Sequence, residues 1–241
     1  NILAGLGRDD EAIDAFRRAI ALNPGDAWPY HHLALLLERR QAFDQAISLY
    51  RQAIQNHRIE ADRAISLDSL GNLYQDLARY PEAVQAFRQA VQANPQFALP
   101  WNSLGDIHSL LGEYNQAVEA YQQAIALDPD YAWPYNNLGL VYEQLREYEQ
   151  AIETYRMVMD RHTNDQDRAV SWNNLGDVYV TLGREQEAIA AYEQAIALDP
   201  DYMWPYNSLG NLYEQRGQTD YAYALYRQAS LRQRRRSPVT V

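Results

Sequence analysis

The chain has 241 residues, 47% hydrophobic and 22% charged, which is ample for a folded core and argues against disorder; no run of eighteen apolar residues suggests a membrane span. Its 32 acidic residues outnumber 21 basic ones, all of them Arg, for a net charge of −11, so nucleic acid and anionic membrane are poor partners and a basic or neutral one fits better. With no Cys, disulfides, thiolate metal sites and a Cys nucleophile are excluded, while the compartment stays undecided with the cytoplasm as the default.

In chain order, Ala12, Phe16, Ala19 and Pro24 match Ala117, Tyr121, Ala124 and Pro129, so residues 1–26 read as the end of a repeat, with more repeats expected upstream. Full units follow at 27–63, 64–97, 98–131, 132–168, 169–202 and 203–236, and 237–241 reads as a loose tail. The phrase ALDPDYAWPYNNLG at Ala126 to Gly139 returns as ALDPDYMWPYNSLG at Ala197 to Gly210, the mark of a repeat array. Each unit carries two amphipathic helical stretches: Tyr135, Leu138 and Tyr142 form one apolar face, and Ala151, Tyr155 and Val158 another.

Punctuation supports the division. Pro29, Pro100, Pro134 and Pro205 stand at the start of first helices, and Pro24, Pro95, Pro129 and Pro200 lie just past second helices. Gly112, Gly183 and Gly217 serve the turn between the two helices. Mid-helix Gly71, Gly105, Gly139, Gly176 and Gly210 predict close approach of the paired helix, since each otherwise costs up to about 1 kcal/mol relative to Ala.

The recurring pattern is Trp101, Leu104, Gly105, His108, Ala117, Tyr121, Ala124 and Pro129, and again Trp172, Leu175, Gly176, Tyr179, Ala188, Tyr192, Ala195 and Pro200. In period and pattern it resembles the tetratricopeptide repeat over nearly the whole chain. Ala34 departs from it where Gly is expected, and Arg234 where the last Pro would fall. The resemblance implies an all-α, right-handed superhelical α-solenoid of helix-turn-helix repeats, working as a non-catalytic scaffold for protein or peptide. Two units are 37 residues long and end in His-containing segments, His57 to Ala64 and His162 to Ala169, so the pattern as a whole repeats every 105 residues.

By the resemblance, first helices line a concave groove. Its positions here carry Trp28, Ile65, Leu99, Trp133, Val170 and Trp204, followed by an amide ladder that includes Asn102 and centres on Asn136, Asn137, Asn173, Asn174 and Asn207, and then Asp106, Asp177 and Asn211. Asn amides suit the main chain of an extended peptide. Glu38, Asp76, Asp106, Glu143, Asp177 and Glu214 would make the groove negative, so a basic or neutral segment is expected. The family's clamp for a C-terminal carboxylate uses Lys, which this chain lacks. The other reading of the Asn residues is that they cap or cross-link helices, and of the Trp residues that they pack between units; exposure decides.

No catalytic, metal or cofactor site is expected. His31 and His32 point about 100° apart on a helix, and no metalloprotease, paired-Cys or phosphate-loop spacing occurs. His108 reads as a core substitution in a Tyr slot. Two other functions stay open. Tyr221, Tyr223, Leu225 and Tyr226 of the last unit could stack on another copy head to tail, giving a ring or filament. Alternatively, the chain is the sensor or docking arm of a larger signalling or enzyme polypeptide.

Overall fold

A computed structural model of the chain describes residues 9–236, with side chains as far as Arg232; the expected tail at 237–241 lies outside the described residues. The described residues form thirteen α-helices and no strand. The chain divides into two compact units, residues 1–127 and 128–241.

The first unit holds α1 (Asp9–Leu22), α2 (Ala27–Arg39), α3 (Phe43–Asn56), α4 (Glu60–Asp76), α5 (Tyr80–Ala93), α6 (Ala98–Leu110) and α7 (Tyr114–Leu127). Its antiparallel pairs are α2 with α3, α4 with α5, and α6 with α7, each stacked on the next. The second unit repeats the scheme with α8 (Ala132–Gln144), α9 (Tyr148–Arg161), α10 (Asp165–Thr181), α11 (Glu185–Leu198), α12 (Trp204–Gln215) and α13 (Thr219–Arg236). Both are helical-repeat solenoids. None of the described helices is long and apolar enough to cross a membrane.

The cores follow from the period of the pattern. In the first unit Leu33, Ala34, Tyr50, Leu73, Ala83, Phe87 and Ile107 are buried together, and in the second Ala151, Tyr155, Leu175, Val178, Ala188 and Tyr192. The mid-helix glycines have the packing reason that the sequence predicts. A Cβ built on Gly105 would lie 2.5 Å from the Tyr121 ring, and one on Gly71 2.5 Å from Phe87, so the ring of the second helix occupies the space of the missing side chain.

Turns between paired helices use left-handed backbone, supplied by Gly112, Gly183 and Gly217 with φ of 75, 70 and 74°. The same turn carries Gln41, Ala78 and Arg146 at φ 61, 56 and 61° elsewhere. The segments after His57 and His162 are not spacers. They add a turn to the first helix, giving α4 and α10 17 residues each against 13 for α2, α6 and α8. Without a proline in the way, Glu60, Asp62, Asp165 and Asp167 bring negative charge to the positive helix end, and Asn164 caps α10 by accepting the Gln166 amide at 2.8 Å.

Candidate functional site

In each unit the first helices present one face, formed by α2, α4 and α6 in the first and by α8, α10 and α12 in the second. The start of a first helix buries its first, third and fourth residues, such as Ala132, Pro134 and Tyr135. Tyr135 is anchored there by donating to the Pro129 carbonyl at 3.3 Å, as Tyr30 does to Pro24 and Tyr206 to Pro200, both at 3.1 Å. The second residue is thereby turned outward. Trp133 and Trp204 are 56% and 57% exposed, with Leu140 one helical stripe along from Trp133 also exposed. Leu99 and Ile65 take the outward place in the first unit, whereas Trp28 is half-buried.

The expected amide ladder divides in two. Asn102, Asn136 and Asn173 are buried, and their amides link helices or neighbouring turns. Asn102 donates from Nδ2 to Asp106 at 3.1 Å, and Asn173 to Asp177 at 3.3 Å, one turn along the same helix in each case. Asn136 accepts from the Ser171 hydroxyl at 2.7 Å, joining α8 to α10. Cross-linking therefore accounts for Asn136, whereas Asn102 and Asn173 bond within their own helices and keep a buried carbonyl oxygen without a partner. Asn137, Asn174 and Asn207 are half-buried beside them, and Asn211 is exposed.

The acidic residues of this face are tied to the second helices by tyrosine hydroxyls. Tyr50 donates to Glu38 at 2.8 Å and Tyr155 to Glu143 at 2.6 Å; Tyr121 donates to Asp106 and Tyr192 to Asp177, both at 2.7 Å. Burial pushes the Glu143 carboxyl up to about 7, opposed by the Tyr155 hydrogen bond and reinforced by the nearby charge of Asp177. Burial also raises Asp177, against the hydrogen bonds it accepts from Tyr192, Ser208 and Asn173. Beside Asp177 lies a recess of about 160 Å³ between α10 and α12, lined by Asp177, Tyr192, Ser208, Asn211 and Gln215. Several guanidinium groups of this unit are engaged elsewhere: Arg156 on the Tyr179 hydroxyl at 3.1 Å, Arg184 with Glu187 and Arg216 with Glu185. Among the described residues, no cation is paired with Glu143 or Asp177.

Two histidines far apart in the sequence meet in the first unit. His31 Nδ1 and His57 Nε2 each lie 2.9 Å from the hydroxyl oxygen of Ser66, a residue with no exposed surface. Trp28 is boxed by the rings of His31, His32 and His57 at centroid distances of 5.4, 5.6 and 5.1 Å. Among the described residues no group of three or more His, Asp or Glu is arranged to hold a metal ion. His108 is buried in its Tyr slot and contacts Glu113 at 2.6 Å.

The candidate assembly residues on α13 also divide. Tyr221 and Tyr223 are exposed. Leu225 packs on the core, and Tyr226 donates to Asn211 at 2.7 Å and Glu214 at 2.9 Å. Arg232 folds back over the Tyr206 ring at 4.1 Å and donates to the Pro200 carbonyl.

Sequence reasoning missed the tyrosine–carboxylate pairs and the Ser66 bridge. The pairs leave a signal, since each such Tyr has an acid 12 or 15 residues earlier. Ser66 leaves none beyond its match to Ser171 at the 105-residue period.

Family models described as tetratricopeptide repeat match residues 25–96 and 130–201, and 191–229, and one described as TPR repeat matches 1–41 and 105–146. No curated protein matches the chain. Among solved structures, MamA is 25% identical with a TM-score of 0.57, over 69% of this chain and 95% of that one. YrrB, described as a TPR protein with an unusual peptide-binding site, is 23% identical with a TM-score of 0.60, over 80% and 96%. The APC/C hetero-tetramer Cut9-Hcn1 gives 18% and 0.67, over 99% of this chain and 45% of that one.

Proposed function

Because the chain belongs to the tetratricopeptide repeat family, we propose that it is a non-catalytic protein-interaction scaffold and that its second unit holds an extended segment bearing a basic side chain. The observation that carries this is the chemistry of one face. Trp133, Leu140 and Trp204 offer exposed apolar surface on α8 and α12. Between them, burial raises both Glu143 and Asp177, the charge of Asp177 raises Glu143 further, and neither has a cationic partner among the described residues. A guanidinium or ammonium from a ligand, seated in the recess beside Asp177, would relieve that charge while flanking residues cover the indoles. Half-buried Asn137, Asn174 and Asn207 edge the same face and are suited to main-chain hydrogen bonds.

Fluorescence polarisation with labelled extended peptides, identical except for a central Arg, Gln or Glu, tests the reading. The Arg peptide is expected to bind best and the Glu peptide worst. Replacing both indoles, W133A/W204A, is expected to weaken the Arg peptide at least ~10-fold, since exposed aromatic anchors dominate such interfaces. Equal affinity for all three peptides, or affinity unchanged by the double substitution, overturns the proposal. Self-assembly is a second reading, favoured by Tyr221 and Tyr223 standing 67% and 72% exposed on α13. Light scattering that stays monomeric over a concentration series would reject it.

A further inference from the structure

The imidazoles around Ser66 belong to the first unit and take no part in the peptide site of the second. They come from three places: His31 and His32 on α2, His57 just past the end of α3, and the bridging hydroxyl from α4. Ser66 has one hydrogen to give and two lone pairs to accept with. With both imidazoles neutral, one ring nitrogen accepts from Ser66 and the other donates to it, so α2, the end of α3 and α4 are joined through one buried oxygen. With both protonated, both nitrogens become donors. Ser66 must then accept twice and turn its own hydrogen away, and two cations stand one hydroxyl apart, His31 buried and His57 half-buried. The His31 and His32 rings, 5.4 Å apart, bring a third titrating group against the pair.

We infer that this cluster is an acid-sensitive joint, through which proton uptake by His31 and His57 separates α2, the end of α3 and α4 and so opens the first unit alone. The second unit is the internal control. At the 105-residue period, His31 is matched by Asn136, Ser66 by Ser171, His57 by His162 and Trp28 by Trp133. There Ser171 donates to a non-titrating amide at 2.7 Å, and His162 lies against the Tyr135 ring at 5.6 Å.

The electrostatics agree in sign. Burial, then His32 and His57, lower His31 to about 4. Burial lowers His32 and His57 as well, Asp62 and Asp26 opposing it at His57. Folded values below the ordinary ~6.5 mean that the opened state takes up protons first. The joint is therefore intact above that value and progressively lost as pH falls toward 4. Other groups face the cluster. Phe16 of α1 packs on His32 at 5.6 Å, and Tyr50 of α3 packs on His31 at 5.6 Å with its hydroxyl on Glu38. Glu38, and Asp68 on α4, are raised by burial and take up protons in the stabilising direction, so a bulk melting curve sums opposed contributions.

Amide hydrogen exchange of the full chain, read helix by helix and corrected for intrinsic rate, separates them. Between about pH 7.5 and about pH 5, protection in α2 and α4 is expected to fall at least ~10-fold more than in α8 and α10. H31N, which installs the residue of the second unit, is expected to abolish the difference. N136H is expected to carry acid sensitivity into α8 and α10. Equal loss in both units, or wild-type sensitivity in H31N, overturns the inference. If H31N fails to fold by circular dichroism at neutral pH, N136H decides alone, and unchanged protection in α8 and α10 rejects the joint.

Discussion

Each hydroxyl-bearing ring buried under a mid-helix small residue answers to an acceptor on its own paired helix. Tyr50 and Tyr155 reach a Glu twelve residues back, while Tyr121 and Tyr192 reach an Asp fifteen back. Where those two places hold Asn72 and Gln75, the ring is Phe87. The ring itself fills the same volume in every pair, so the hydroxyl is there for the carboxylate and the carboxylate for the hydroxyl. Removing the hydroxyl in Y121F strands Asp106 with one charge-assisted bond fewer and is expected to cost about 1–2 kcal/mol, read as a lower urea midpoint with unchanged slope. No change in midpoint would mean that the pair is incidental to packing. The sequence displays these partners plainly, but as separate patterns: the ring as core, the acid as groove lining. Only the fold shows that one side chain serves both.

At the scale of helices, turns and ends, the chain's own punctuation was sufficient wherever Pro or Gly stood. It fell short at α4 and α10, which begin at Glu60 and Asp165 rather than at the alanines that open the repeat pattern. The pattern records buried positions, and an added first turn that buries little leaves no mark in it. The left-handed turn shows the converse, a conformation required in every pair but marked by Gly in only some. Ala78 adopts φ 56° at the place where Gly112, Gly183 and Gly217 sit near 70–75°. An L-residue there loses roughly 1 kcal/mol to Cβ crowding, partly offset by the greater unfolded-state freedom of Gly. A78G is therefore expected to raise stability by about 0.5 kcal/mol, against the usual penalty of a helix-adjacent glycine, and differential scanning calorimetry should show the melting temperature rising. A fall would mean that the turn is not the strained element.

Across the whole chain, one module has been used twice and then diverged. Arg51 on Tyr74 at 3.0 Å and Arg79 stacked on the same ring at 4.7 Å are matched by Arg156 on Tyr179 at 3.1 Å and Arg184 at 4.6 Å. These shared devices hold the scaffold, whereas the first-helix faces differ: imidazoles and Asp68 in one unit, exposed indoles and the Glu143–Asp177 pair in the other. Repetition made the scaffold readable from sequence. Divergence alters the first-helix faces, and what it means depends on burial, which no single position displays: Asn136 and Asn173, expected in the groove, are buried and bond to Ser171 and Asp177. The same burial gives the proposed peptide site a pH dependence. Glu143, held near 7 chiefly by burial, is mostly neutral at pH 6 and mostly charged at pH 8, on either side of the value at which it titrates. A cationic side chain favours the charged form, so binding releases a proton, and affinity for the Arg peptide must rise with pH across this window, by about three- to tenfold. The Gln peptide should show little of this rise, and E143Q, which keeps an acceptor for the Tyr155 hydroxyl but cannot titrate, should flatten the Arg profile at an intermediate affinity. An Arg profile in wild type that is flat or falls from pH 6 to pH 8, on either side of the Glu143 value, would place the cation away from Glu143 and leave Asp177 and the exposed indoles to hold the segment.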